Sequence, residues 1–168
     1  MKSSKGLKPL FFIFFFVAIS FCALAQQTTV HIGGDVSKPF DLDEKLFSEM
    51  KQNHVKVVGR DSVSRNYTGV SLYDIVVKAG GIVGGQLKGK ELAKYILVTA
   101  ADGYRIVLAI AEIDPGFSNQ KILLVNKENG SSLAPNYGPY RLIVAGDNRP
   151  ARSAMRVVSI DIFSADKR

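Results

Sequence analysis

The chain has 168 residues, with 22 lysines and arginines against 15 aspartates and glutamates, which gives a formal charge of +7. Three of the lysines (Lys2, Lys5 and Lys8) stand at its start, so the rest is mildly basic and lacks the charge excess of a nucleic-acid-binding domain. The one cysteine, Cys22, excludes an internal disulfide and any zinc site built from several thiolates.

Residues 1–25 have the layout of a secretory signal peptide. An apolar run from Leu10 to Phe21 follows the lysines and leads to the small-residue cleavage sequence Ala23-Leu24-Ala25. The run is about a dozen residues long, whereas a membrane span needs about 20, so we favour cleavage over a retained anchor. The bulky Phe21 also disfavours lipid attachment at Cys22. We therefore expect a periplasmic or secreted bacterial protein, without a stable membrane anchor, whose single domain spans residues 26–168.

The first part of this domain predicts strands around a short helix. Residues 28–34 are rich in Thr, Val and Ile before a glycine turn, which is typical of a strand. Asp41 and Glu44 have the spacing of a helix cap, so residues 42–51 are predicted to be helical. Val55–Gly59 is interpreted as a second strand, and the polar residues 60–68 as a strand at a sheet edge.

The segment from Tyr67 to Gly81 predicts an amphipathic helix with both ends marked. Ser71 and Asp74 have capping-box spacing, and Gly80 supplies a left-handed residue at the other end. One face is apolar and carries Leu72, Ile75, Val76 and Ala79. The glycines up to Gly89 fit neither a dinucleotide-binding pattern nor a Walker loop, so this stretch is predicted to be a plain loop.

Two β-rich runs around Asp102-Gly103, from Tyr95 to Leu108, predict a hairpin with a type I′ turn. Further strands are predicted at 121–126, 141–145 and 157–163. Because the strands do not alternate regularly with helices, the fold class is predicted to be α+β, mostly β, with two short helices.

Several segments resemble the molybdopterin-binding domain of sulfite oxidases and related oxidoreductases, in the order that the family has them. They are the entry strand Val30–Val36 with Lys38–Leu42, the turn Tyr67-Thr68-Gly69-Val70, the hairpin Ala101-Asp102-Gly103-Tyr104 and the late strand Gly138–Val144. The resemblance implies a sulfite-oxidase-like fold over nearly the whole exported domain.

The chain differs from this family at the position of the cysteine that binds the metal. Active members have a cysteine that bonds molybdenum just after the strand matching Val55–Gly59, and this chain has Gly59-Arg60-Asp61-Ser62 there. A carboxylate or hydroxyl would make a different metal centre from a thiolate. Ala145 replaces a usual proline, and the sequence has no tryptophan. We also expect the protein to lack the family's C-terminal dimerisation domain. The cofactor is therefore undetermined: the resemblance implies molybdopterin, but the molybdenum thiolate ligand is missing.

Arginines and one tyrosine are the candidate ligand-binding residues, since a guanidinium binds carboxylate or phosphate with two parallel hydrogen bonds. The candidates are Arg60, Arg141, Tyr104, Arg149 and Arg152. Arg60 and Arg141 occupy matched family segments and are expected to lie near a common site. Solvated surface charge is the alternative for each arginine. Tyr67, Tyr104, Tyr137 and Tyr140 could line a pocket for a flat ligand or fill the core.

Three hypotheses follow, none with an assigned catalytic residue or metal ligand. The first is an exported domain that binds a small anionic or flat ligand, or an envelope partner protein, without redox chemistry. The second is a molybdopterin-dependent oxidoreductase with an unusual ligand set. The third is a structural adaptor of an envelope complex. The missing cysteine favours the first over the second.

We predict that the exported protein begins at Gln26, because Ala23 and Ala25 are the small residues correctly placed after the apolar run. Intact-mass spectrometry of the exported protein measures this directly. A mass that retains Cys22 would contradict the prediction.

Overall fold

The computed structural model describes residues 29–165, so the predicted leader lies outside the described residues. Within this range the chain forms ten strands and three short α-helices. The strands are β1 (Val30–Gly34), β2 (Phe40–Leu42), β3 (Gln52–Val58), β4 (Ser64–Ser71), β5 (Lys94–Ala100), β6 (Arg105–Ala109), β7 (Ile122–Glu128), β8 (Ser131–Ser132), β9 (Arg141–Val144) and β10 (Val157–Ser164). The helices are α1 (Glu44–Glu49), α2 (Leu72–Lys78) and α3 (Ile110–Ile113), and 3₁₀ turns occupy Gly84–Gln86, Gly89–Ala93 and Pro150–Arg152.

The strands form two sheets around one main core. The first sheet has the order β2-β1-β10-β5-β6, in which β1 and β10 are parallel and the other pairs antiparallel. The second sheet has the order β3-β4-β7-β8, with β9 also paired to β7, and is antiparallel throughout. Apolar side chains from both sheets and all three helices fill the core. The predicted α+β, mostly β class is confirmed.

Helix α2 lies where the sequence predicts it. Its apolar residues Leu72, Ile75 and Val76 are fully buried, and Gly80 ends the helix with φ of 70°. A side chain at Gly80 would also overlap the hydroxyl of Ser37, so glycine is required there for two reasons. The predicted capping bond is wrong, because the Ser71 side chain makes no hydrogen bond to the helix start.

The predicted helix at 42–51 is shorter and has a different cap. Asp43 accepts a hydrogen bond from the Leu46 amide at 2.7 Å, so the helix begins at Glu44. Asp41 instead lies in β2, where its carboxylate is 2.8 Å from Nδ1 of His31 on β1. Strand β2 therefore includes Asp41 and Leu42, which the sequence predicts to lie at the start of the helix.

Two other features differ from the sequence expectations. β4 is an interior strand between β3 and β7, and β3 forms the sheet edge. Helix α3 was not predicted because it has a single turn, held by the Glu112 carboxylate, which accepts from the Ala109 amide at 2.9 Å. None of the helices in the described part of the chain is long and apolar enough to cross a membrane.

The β5–β6 hairpin is confirmed, but its turn is not of type I′. That turn needs positive φ at two successive residues, and here Gly103 alone has it, at 84°, while Asp102 does not. The amide of Gly103 donates to the Ala100 carbonyl at 2.9 Å, and the Ala100 amide donates to the Tyr104 carbonyl. The loop thus holds three residues and ends in a left-handed glycine.

We predict that replacing Gly103 with Val lowers the free energy of unfolding by about 1–2 kcal/mol, because a side chain disfavours left-handed backbone. Gly85→Val is the matched control: neither glycine has an atom within 4 Å of the position of a Cβ, and Gly85 has no positive φ. Thermal unfolding of the two variants measures the difference. Equal melting temperatures would show that backbone conformation at Gly103 contributes nothing.

Candidate anion-binding site

Four basic side chains are partly buried among residues 29–165: Arg65, Lys94, Arg141 and Arg152. Burial removes water from a charged group and is unfavourable unless protein groups replace the water. Three of the four have carboxylate partners, and Arg141 has none among the described residues. This difference singles out Arg141 as the basic group able to accept an external anion.

Arg152 is fully engaged within the protein. Its Nε and Nη2 donate to the two carboxylate oxygens of Asp147 at 2.8 and 2.7 Å, and Nη1 donates to Glu112 at 2.7 Å. These hydrogen bonds from Arg152 hold the pKa of Asp147 below its usual value. The arrangement links α3 to the turn after β9.

Arg65 and Lys94 are also paired. Arg65 Nη1 and Nη2 donate to Asp61 at 3.0 and 2.5 Å, and Nε lies 3.3 Å from Glu128. The hydrogen bond from Arg65 lowers the pKa of Asp61 to about 2. Lys94 contacts the carboxylate of Asp35 at 2.7 Å.

Arg141 lies between two aromatic rings at the start of β9. Its guanidinium carbon is 5.1 Å from the ring centre of Tyr137 and 5.7 Å from that of Tyr67. Nη1 donates to the Tyr67 hydroxyl across a long 3.4 Å, while Nε is buried without a hydrogen-bond partner. A guanidinium has five N–H donors, so most of its hydrogen-bonding capacity is unused.

The fold places this group on the outer face of the second sheet. A small apolar cluster covers that face: Val55, Tyr67, Leu123, Val125, Leu133 and Ile143, with Tyr137 packed against it. Burial is the main cause that raises the pKa of Tyr67, so its hydroxyl stays protonated at neutral pH. The surroundings of Arg141 are therefore apolar apart from the Tyr67 hydroxyl, which also lies close to Glu128 and Arg65.

The structure does not bring Arg60 and Arg141 together. Across the sheet, Arg141 on β9 pairs with Val125 on β7, Val125 pairs with Gly69 on β4, and Gly69 pairs with Asn53 on β3. From Asn53, β3 runs on to Val58 before the turn that holds Arg60, which adds roughly 17 Å along the strand. The expectation of a common site is therefore wrong, and Arg60 is exposed at the tip of the β3–β4 hairpin.

The other three candidates meet at the 3₁₀ turn Pro150–Arg152. The Tyr104 hydroxyl donates to the Ala151 carbonyl at 2.8 Å, between Arg149 and Arg152. Arg149 is exposed, and Arg152 is held by its carboxylates. Of the four tyrosines considered for a pocket, Tyr140 fills the core, whereas Tyr67 and Tyr137 flank Arg141 and were not among the five candidate ligand-binding residues.

The turn Gly59–Ser62 stands where the resembled family has its molybdenum-binding cysteine, and its donor atoms do not fit a molybdenum centre. In the turn after β3, one oxygen of Asp61 accepts from the Val63 amide at 3.1 Å and from Arg65, and the other from Arg65 alone. Residues 29–165 contain no cysteine and no cluster of three or more His, Asp or Glu side chains that could hold a metal ion. Arg152, a candidate for a pyrophosphate, is already paired.

One solved structure has the same fold over most of the chain. The sulfane dehydrogenase SoxCD from Paracoccus pantotrophus matches 85% of this chain with a TM-score of 0.66 and 17% sequence identity. The sulfite-oxidase-like fold is confirmed by this likeness. The match spans 40% of the SoxCD chain, so this chain corresponds to less than half of that protein. No protein-family model matches the chain, and no curated protein sequence matches it.

We predict that Arg152→Met lowers the free energy of unfolding by about 1–3 kcal/mol, because charge-assisted hydrogen bonds are lost and Asp147 is left unpaired. Arg149→Met is the matched control, since Arg149 is exposed. The low folded-state pKa of Asp147 gives stability that is present above about pH 4 and lost as the pH falls through that folded-state value. The melting temperatures of the Arg152→Met and Arg149→Met variants should therefore differ at neutral pH and converge in acid. Equal melting temperatures at pH 7 would contradict a structural role for Arg152.

Proposed function

We propose that the chain is an exported binding domain that captures a small anion at Arg141, between Tyr67 and Tyr137, without redox chemistry. The observation that supports this most is the lack of a carboxylate for Arg141, when the other three partly buried cations each have one. An anion would supply the missing countercharge and accept from the unused N–H groups. The sheet holds Arg141 on β9 and Tyr67 on β4, and Tyr137 lies in the turn that leads into β9.

The geometry favours an anion with a flat acidic end. A carboxylate or a sulfur oxyanion can accept two parallel hydrogen bonds from one guanidinium edge. The tyrosine rings, at 5.1 and 5.7 Å from the guanidinium carbon, hold that edge in place, and Tyr137, which is half-buried, offers an apolar surface to the rest of the ligand. An aromatic carboxylate such as benzoate uses both features, whereas sulfite uses the charge alone.

The oxidoreductase alternative has weaker support. The matched structure is named as a dehydrogenase, but a likeness at 17% identity concerns the fold. In the turn where that chemistry needs a soft, strongly donating ligand, the carboxylate of Asp61 is paired with Arg65. A binding role uses residues that are present, while a redox role needs a ligand that the described residues lack.

We predict that benzoate and sulfite shift the ring resonances of Tyr67 and Tyr137 in NMR titrations, and that Arg141→Ala weakens binding roughly tenfold to a hundredfold. The net loss of charge-assisted hydrogen bonding is about 1.5–3 kcal/mol in total, and each 1.4 kcal/mol is a factor of ten in affinity. Binding should weaken with added salt. Arg105→Ala, an exposed arginine on the first sheet, is the control.

Two results would overturn the proposal. Equal binding by wild type and Arg141→Ala, with a loss in Arg60→Ala, would move the anion site to the hairpin tip. Molybdenum at a stoichiometric level in protein purified from its exporting host, measured by elemental analysis, would support the oxidoreductase alternative.

A further inference from the structure

A second concave site lies at the β3 edge of the second sheet. It reaches Leu123 on β7, a member of the apolar cluster beside Arg141, but its lining does not include Arg141, Tyr67 or Tyr137. It is an open cleft of about 290 Å³, at the lower end of the size range of small-molecule sites. The segment Pro115–Lys121 forms one wall, and the start of β3 with the end of β4 forms the other. We call it the amide cleft, because Asn53, Asn119 and Gln120 all line it.

The floor of the amide cleft is apolar. Ile113, Ile122 and Leu123 line it and are each buried in the fold. Pro115 and the ring of Tyr73 add apolar surface to the walls. A ligand that fits must therefore have one face of C–H groups, since polar groups placed there would lose water without gaining hydrogen bonds.

The walls hold polar groups that are fixed but not fully used. Gln120 donates to Asp147 at 3.2 Å through its amide nitrogen, and its carbonyl oxygen has no hydrogen-bond partner within residues 29–165. Asn53 donates to the Lys51 carbonyl at 3.1 Å, which likewise leaves a carbonyl oxygen. Among the described residues, no side-chain hydrogen bond is made by Ser71 or Asn119. Several hydroxyl groups on one ligand could therefore be bound at once, because a hydroxyl both donates and accepts.

The charge of the amide cleft is positive. Lys121 lines it without an ion pair to any described residue, and no aspartate or glutamate is among the lining residues. His54 also lines the cleft, and its Nδ1 lies 3.0 Å from the Thr68 hydroxyl. A single lysine suits one carboxylate, whereas a phosphate is more often held by several basic groups or by a longer run of backbone amides.

We propose that the amide cleft binds a sugar acid, a pyranose ring with one carboxylate, either free or as a unit of an acidic polysaccharide. The carboxylate lies at Lys121, the ring hydroxyls meet Asn53, Ser71 and Asn119, and the C–H face of the ring rests on Leu123 and its neighbours. This site is separate from the anion site at Arg141, and neither depends on the other.

The test is an NMR titration of the full exported chain with D-glucuronate, D-glucose and oligogalacturonate. Glucuronate should shift amide resonances of residues 118–123 and bind at least roughly tenfold more tightly than glucose, because glucose lacks the charge-assisted bond. Lys121→Met should remove that preference, and Asn119→Ala should weaken both sugars. Lys127→Met, which changes an exposed lysine outside the cleft, is the control and should behave as wild type.

The same titrations also distinguish a free sugar acid from a polysaccharide unit, and the amide cleft from the site at Arg141. Tighter binding of the oligomer than of glucuronate would support a polysaccharide unit, and the reverse would support the free sugar acid. No shift with any of the three probes, or equal binding by wild type and Lys121→Met, would overturn the inference. Shifts confined to Tyr67, Tyr137 and Arg141 would also overturn it, while leaving the proposed anion site intact.

Discussion

Close backbone contact between β4 and β7 at Gly69 determines how the second sheet is built. A side chain at Gly69 would overlap the carbonyl of Leu124, so only glycine allows the strands to approach this closely. At the same place Thr68 pairs with Lys127 and Gly69 pairs with Val125. Asn126 therefore has no partner on β4 and is the extra residue of a β-bulge. The bulge brings Glu128 opposite Tyr67, on the outer face, where the carboxylate reaches Arg65. The main core and the outer cluster both depend on this contact.

The distribution of carboxylates on this scaffold explains why Arg141 differs from its neighbours. Glu128 and Asp61 are both used by Arg65, and Asp147 and Glu112 by Arg152. Arg141 has tyrosine rings instead, and a cation–π contact contributes about 0.5–2 kcal/mol, less than a desolvated ion pair can supply. The rings also restrict the guanidinium to one orientation, which reduces the entropy lost when an anion binds. Local packing thus produces a preorganised cation.

Local sequence patterns predicted the local elements, and they did not predict how distant segments meet. Helix α2 follows from its apolar periodicity and the glycine at its end, and the β5–β6 hairpin from its β-rich runs around Asp102-Gly103. The placement of Arg60 relative to Arg141 depends instead on the order β3-β4-β7-β9, in which β7 and β9 pair with strands far away in the chain. Asp41 and Asp43 are equally good caps by composition, and pairing of β2 with β1 decided between them. The amide cleft joins residues from 53 to 123, so no local motif reveals it.

The turn after β3 is closed by side chains of the hairpin itself. A thiolate in this turn would project a soft donor from the end of a strand, a position that the sheet holds rigidly. Here the same turn is closed by a bidentate Asp61–Arg65 pair, and Ser62 adopts a left-handed conformation with φ of 59°. The pair satisfies the carboxylate within the hairpin, and it sets the backbone path without any ligand. Because these side chains close the turn, the hairpin needs no metal to order it, and the sites proposed at Arg141 and in the amide cleft use other parts of the same sheet.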